Sequence, residues 1–280
     1  MVCICHAGVN FLFSVIFAVA YGKIVSTYGG YAMKQNFRFT ICFDGTRFYG
    51  WEHQPTTDMT IQGKIETVLA KMVGVDMVEV IGCGRTDAGV HAKAMIANAF
   101  LDTPLTTDEI RDYLNRYLPD DICVTSVDKA GDRFHSRYNA LGKTYQYTCY
   151  VGPLKPVFDR KYVYVLDGTP DIEKMREAAG YLMGTHDFAS FCSNPRMKKS
   201  TVREVDKIKI TTDGPYIRLT YHGTGFLQHM VRILTGTLLE VGFGKRTPES
   251  MGDLIEAKDR KLAGPTAPAQ GLCMMQVDYH

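Results

Sequence analysis

Polar and apolar residues alternate along Phe37-Arg38-Phe39-Thr40-Ile41-Cys42-Phe43. A period of two with aromatic and β-branched side chains predicts a β-strand with one buried face. Asp44-Gly45-Thr46 then turns the chain. Over 61–73 the period changes. Ile61, Ile65, Val68, Leu69 and Met72 share one helical face, and Thr60 stands at the N-cap position. Residues 75–81 and 94–101 read as further strands. Thr106-Thr107-Asp108-Glu109 spells a capping box for a helix that carries Ile110, Leu114 and Tyr117 and stops at Leu118, before Pro119. Residues 122–127 return as a strand. The order β-α-β-β-α-β predicts an antiparallel or mixed sheet with helices on one face.

The second half of the chain repeats the theme without a significant sequence repeat. Strands are expected at 144–151 and 162–165, then a helix from Thr169-Pro170 to about residue 183, with proline in its first turn. Residues 202–211 and 216–221 form a hairpin around Asp213-Gly214. A helix over 226–241 stops at Gly242, another starts at Thr247-Pro248, and 272–277 closes the sheet. The pattern gives two α+β domains joined near 133–143, with boundaries at 33–135 and 136–280.

Residues 1–32 break this pattern. Phe11-Leu12-Phe13-Ser14-Val15-Ile16-Phe17 is apolar and runs into Ala18-Val19-Ala20, which looks like a signal-peptide cleavage site. No Lys or Arg precedes it, and the run is short of the roughly 20 residues that span a bilayer. Met33-Lys34-Gln35 looks like a fresh start. The expectation is an upstream extension with translation beginning at Met33, and a weak signal-like segment is the alternative.

Composition narrows the chemistry only a little. The chain of 280 residues is 45% hydrophobic and 22% charged, with a formal net charge of +2. Bulk charge therefore does not argue for a nucleic-acid partner, and local basic surface would have to. Candidate stretches are Arg196, Lys198, Lys199 and Arg203, and Lys155, Arg160 and Lys161. The eight cysteines are scattered apart from Cys3 and Cys5, with no C-x-x-C and no zinc spacing, which fits reduced thiols in a cytosolic protein.

The densest chemistry is Gly82-Cys83-Gly84-Arg85-Thr86-Asp87-Ala88-Gly89-Val90-His91. It puts Asp87 two residues after Arg85 in a bend made of three glycines, after a strand-like stretch. Glycine lets another group come close to the chain, and loops at strand ends often carry catalytic groups. Residue by residue the run also fits a tight turn with a surface ion pair. It is not a dinucleotide fingerprint, since Asp87 stands where the third glycine is needed, and no Gly-Lys-Ser/Thr phosphate loop follows.

The contiguous string resembles the active-site motif of the pseudouridine synthases, in the form of the tRNA pseudouridine synthase A family. Three further segments carry the resemblance. Phe43-Asp44-Gly45-Thr46-Arg47-Phe48-Tyr49-Gly50-Trp51 resembles the N-terminal signature, with phenylalanine where tyrosine is frequent. Tyr49 and Trp51 suit either base stacking or a core cluster. Lys143-Thr144-Tyr145-Gln146-Tyr147 resembles the tyrosine strand, with Tyr145 and Tyr147 on one face. Gly225-Phe226-Leu227-Gln228-His229-Met230-Val231-Arg232 resembles the third motif. Read as a helix, it carries a stripe of Gln228, Arg232 and Gly236 that another surface could approach. Phe134-His135-Ser136-Arg137, His186-Asp187-Phe188-Ala189-Ser190-Phe191 and Ala257-Lys258-Asp259-Arg260 add smaller matches, so the likeness spans 37–279.

The resemblance implies the pseudouridine synthase fold, with an active-site cleft between the two domains. It implies Asp87 as catalytic nucleophile, Tyr145 stacking on the base, and Arg85 holding phosphate. Arg232 would face Asp87 across the cleft and favour its ionised form. The implied substrate is tRNA, at uridines 38, 39 and 40 of the anticodon stem-loop, acted on by a cytoplasmic homodimer with no cofactor, metal or membrane. A non-catalytic tRNA-binding protein on the same fold, or a synthase for another RNA, is the competing expectation.

Overall fold

A computed structural model describes residues 34–194 and 197–280. The expected extension over 1–32, the start at Met33 and the basic Arg196 lie outside the described residues. Lys34–His280 is one compact unit. It has an α+β fold with a large, mostly antiparallel sheet.

In the first half, β1 (Gln35–Phe43) pairs antiparallel with both β3 (His91–Leu101) and β4 (Ile122–Lys129). The short β2 (Ile81–Gly82) pairs with β3. The alternation read from the sequence is obeyed: Phe37, Phe39, Ile41 and Phe43 are buried, while Arg38, Thr40 and Cys42 are partly exposed on the other face. Helix α1 (Ile61–Val73) begins where Thr60 accepts from Gly63 N–H, and buries Ile61, Ile65, Val68 and Leu69. Helix α2 (Thr107–Tyr117) has the complete capping box of Thr106 and Glu109 and packs on β4 through Ile110 and Leu114.

In the second half, β5 (Gly142–Tyr150), β6 (Tyr164–Val165), β7 (Gly184–Asp187), β8 (Val202–Asp213), β9 (Tyr216–Gly223) and β10 (Leu272–Asp278) continue the same sheet. Its order is β4-β1-β3-β10-β5-β9-β8-β7, with β2 on β3 and β6 on β5. The last strand thus lies in the middle, parallel to β3 and antiparallel to β5. Tyr145, Tyr147 and Cys149 of β5 stand opposite Tyr221, Leu219 and Ile217 of β9, and all six are buried on one face. Helices α3 (Ile172–Tyr181), α4 (Met230–Gly242) and α5 (Ser250–Ala257) complete the covering layer. Tyr221 Oη and Thr235 Oγ1, 2.9 Å apart, join β9 to α4.

Several elements differ from the sequence reading: β7 was not expected, β6 keeps only 164–165 of 162–165, α5 starts at Ser250 and not at 247–248, and three more differ for identifiable reasons. Of the expected strand over 75–81 only Ile81 joins the sheet, in the two-residue β2, and Val75 and Met77 are exposed. Their alternation has no strand edge to pair with before Ile81. The helix expected from residue 226 starts at Met230, because His229 takes a left-handed backbone conformation that a continuing helix cannot contain. Helix α3 starts at Ile172 and not at Pro170. Asp171 caps it by accepting from the N–H groups of Glu173 and Lys174, a stronger stop for orphan donors than proline provides.

Candidate active site

Residues 83–90 join β2 to β3, and backbone contacts set their path. Cys83 N donates to Ile96 O at 2.8 Å, Trp51 N to Thr86 O at 3.1 Å, and Val90 N to Asp87 O at 3.1 Å. Gly50 sits beneath this loop at φ +97°, where a Cβ would come within 2.5 Å of Thr86 O. Only glycine satisfies both that conformation and that approach. Trp51 is 2% exposed and belongs to the core, while Tyr49 is 61% exposed at the rim. Thr86 is buried, and its hydroxyl has no hydrogen-bond partner among the described residues.

Asp87 projects from this loop with its side chain 25% exposed. Its Oδ2 accepts from Arg232 Nη1 at 2.9 Å, and its Oδ1 lies 3.4 Å from His229 Nε2. Both partners come from the start of α4. Arg232 is itself fixed, since its Nε donates to Ala267 O at 2.7 Å and its own carbonyl accepts from Ala267 N at 3.1 Å. Residues 263–268 cross α4 as a strap. Pro265 O lies so close to Gly236 that a Cβ there would stand 1.9 Å away. The strap is held by Gly264 N to Thr237 Oγ1 (3.0 Å), Arg260 to Gly264 O (3.0 Å) and Thr266 Oγ1 (3.1 Å), and Tyr147 Oη to Pro268 O (2.7 Å). Of the stripe read from the sequence, Arg232 and Gly236 share this covered face. Gln228 precedes the helix and lines the cleft instead.

The floor comes from β5. Tyr145 is buried and meets Phe226 edge-on, with ring centres 5.4 Å apart. Burial pushes its phenol well above the ordinary range, and the nearby Asp87 charge adds to that. Lys143, two residues earlier, donates from Nζ to Cys83 O at 2.7 Å and ties the floor to the loop. Burial lowers its ammonium pKa. Arg85 lies at the rim of the same cleft. It pairs with Glu52 Oε1 at 2.6 Å, and both side chains are well exposed. Asp87, Tyr145, Arg85, Arg137, Lys199 and Arg203 all border one cleft of about 440 Å³.

His91, the last residue of the glycine-rich string, lies behind the cleft. Its Nδ1 accepts from Gly45 N at 3.1 Å, so its Nε2 is the donor to Lys161 O at 3.0 Å. Burial lowers its pKa and favours this neutral form, although Asp44 lies 3.2 Å from Nδ1.

The structure brings Asp87, Tyr145 and Arg232, all named from the sequence, to one place, with Arg85 at its edge. It did not single out His229, Lys143 or Glu52. His229 sits inside a quoted motif, but nothing in its spacing marks it as a neighbour of Asp87. Among the described residues no group of three His, Cys, Asp or Glu is placed to hold a metal ion. No helix among them is long and apolar enough to cross a membrane.

A family model described as tRNA pseudouridine synthase matches residues 40–139 and 178–280. The chain belongs to the tRNA pseudouridine synthase family. Within that family it is 42% identical over 244 residues to the tRNA pseudouridine synthase A 2 of Bacillus anthracis, covering 87% of this chain and 99% of the relative. It is 43% identical over 249 residues to the tRNA pseudouridine synthase A of Geobacillus kaustophilus, covering 88% and 95%. The matched parts of the family model contain Asp87, Arg85, His229 and Arg232, whereas Tyr145 falls between them.

Proposed function

We propose that this chain isomerises uridine to pseudouridine at positions 38, 39 and 40 of the anticodon stem-loop of tRNA, with Asp87 as the nucleophile. The observation that carries the reading is the placement of Asp87 in the cleft. One carboxylate oxygen is on Arg232, the other faces His229, and the buried ring of Tyr145 is part of the same lining.

The reaction breaks the N1–C1′ bond, turns the uracil, and joins C5 to C1′. The C5 proton leaves and N1 gains one, so atoms balance without an added reagent. The target base must first leave its stack, at a cost of a few kcal/mol. Arg85 at the rim exchanges its exposed Glu52 partner for a phosphate, which costs little because an exposed ion pair contributes under about 1 kcal/mol. Arg137, Lys199 and Arg203 extend that basic edge. Tyr145 stacks on the uracil and, as a neutral phenol, offers a hydroxyl to it. Asp87 attacks the nucleotide, at C1′ or at C6, or removes the C2′ proton.

Reaching three adjacent positions favours recognition of RNA shape over base sequence. The same reading includes a homodimer, a cytoplasmic location, and two domains at 33–135 and 136–280. The first domain then supplies the acid, and the second the cation and the tyrosine.

The test is carbodiimide mapping of pseudouridine on unmodified tRNA treated with the full chain or with Asp87→Asn. The expected result is product at 38–40 with the wild type and none with the variant, which still binds tRNA. Binding without product from the wild type would make this a tRNA-binding protein. Product from both would remove Asp87 from the chemistry.

A further inference from the structure

His229 is one of two non-glycine residues at positive φ among the described residues, at φ 60° and ψ 5°. That conformation costs a non-glycine residue about 1–2 kcal/mol. Capping does not explain it, since His229 makes no side-chain cap to α4. Glycine would make the same turn with less strain. Strain of this kind persists where surrounding contacts hold it, and it concentrates at functional sites.

Those contacts are specific. Ser193 Oγ lies 2.8 Å from His229 Nδ1, and Ser193 N donates to Gln228 O at 3.2 Å. The hydroxyl's other acceptor, Gln228 O, is 3.5 Å away, so the shorter contact to Nδ1 is its better donor bond, and with that bond made the neutral ring carries its proton on Nε2. Nε2 is the atom that faces Asp87 Oδ1 at 3.4 Å. At 3.4 Å this is a polar contact and not yet a hydrogen bond; catalytic hydrogen bonds are often that long in unliganded sites and tighten in the substrate complex. Arg232 alone would leave the carboxylate free to pivot about Oδ2.

We infer that His229 is a positioning residue whose Nε2–H holds the second oxygen of Asp87, with Ser193 setting the tautomer, so that the carboxylate meets the nucleotide in one orientation. The inference rests on the reading of Asp87 as the reacting acid. A misplacement of about 1 Å at such a group costs on the order of a hundredfold in rate.

The experiment uses the full chain and compares wild type, His229→Gly, His229→Gln and Ser193→Ala. It measures thermal stability, tRNA affinity, and single-turnover pseudouridine formation at saturating enzyme. His229→Gly is expected to keep or raise Tm, because glycine tolerates the left-handed turn. It should keep tRNA affinity and lose about ten- to a hundredfold in rate. His229→Gln, whose amide reaches about as far as Nε2, should recover part of that rate without the gain in stability. Ser193→Ala should lower the rate less. A stabilised His229→Gly with wild-type rate would overturn the inference. So would a variant that loses tRNA affinity while its saturated rate stays unchanged. A wild type that makes no pseudouridine would instead overturn the uridine reading, and this one with it.

Discussion

The wall of the cleft that carries Asp87 is ten consecutive residues pressed onto neighbouring backbone, whereas the wall that carries Arg232 is assembled from distant segments by polar contacts. On the first wall, Gly50 and the Trp51–Thr86 bond fix the loop. On the second, Arg232 depends on Ala267 in the strap, the strap on Thr237, Arg260 and Tyr147, and His229 on Ser193. Close backbone contact places an atom without needing a particular charge state. A polar clamp places a charge and is sensitive to every partner in it. The backbone under the acid is thus set mainly by close backbone contact, with Lys143 as its one charged tie, whereas the cation is set mainly by side-chain hydrogen bonds.

Substitutions can break this comparison. The largest effect is expected from Arg232→Lys. A lysine is a point charge without the planar fork, so it cannot serve Ala267 O and Asp87 at once. Single-turnover rate should fall about a hundredfold, or about 2.7 kcal/mol in activation free energy. A lysine variant at wild-type rate would show that the fork is dispensable.

Gly236→Ala comes next. Its new Cβ would meet Pro265 O and push the strap off α4, costing about 1–3 kcal/mol by urea unfolding. Activity should fall as well, since Arg232 loses its support. Gly50→Ala should cost a similar amount through its positive φ, and a variant as stable as wild type would refute the account of the Asp87 wall.

A smaller effect is expected from pH. His222 on β9 lies between Asp206 of β8 and Asp278 of β10. Burial opposes its charge, but the hydrogen bonds and charges of the two aspartates outweigh burial and raise its pKa. A raised folded-state value adds stability that is complete below the unfolded value of about 6.5 and fades as pH rises through the folded one. Tm should therefore drop above that pH in the wild type, and less in His222→Gln.

Thr86→Val should have the smallest effect. It removes a buried hydroxyl that has no partner among the described residues and keeps the shape, so stability should stay level or rise by about 1 kcal/mol. A clear loss in a denaturation curve would mean that the hydroxyl is satisfied after all.

Much of this architecture was legible in the chain. The alternation over 37–43 and the capping box at Thr106 matched β1 and α2, because each depends on contacts within a few residues. The loop of Asp87 was legible because its glycines and its acid are consecutive. The start of α4 was not. Residues 226–229 carry a pattern that suits a helix, but the left-handed backbone at His229, beside the contacts of Ser193 to Gln228 O and to the His229 ring, sets the start at Met230. The strand expected over 75–81 failed for the converse reason, since alternation does not supply a neighbouring edge.

The family, most of the local elements, and Asp87, Tyr145 and Arg232 as residues to watch could be read from the chain, because motif strings and periodicity are short-range properties. The packing of the whole chain placed β10 in the middle of the sheet, paired Arg85 with Glu52, brought His229 to Asp87, and gave the expected Arg232–Asp87 pair its geometry. Asp87 and Arg232 are 145 residues apart along the chain, and their distance of 2.9 Å depends on how the loop before β3, helix α4 and one strap pack together. No spacing rule spans such a separation, whereas burial and hydrogen-bond satisfaction of the whole fold do.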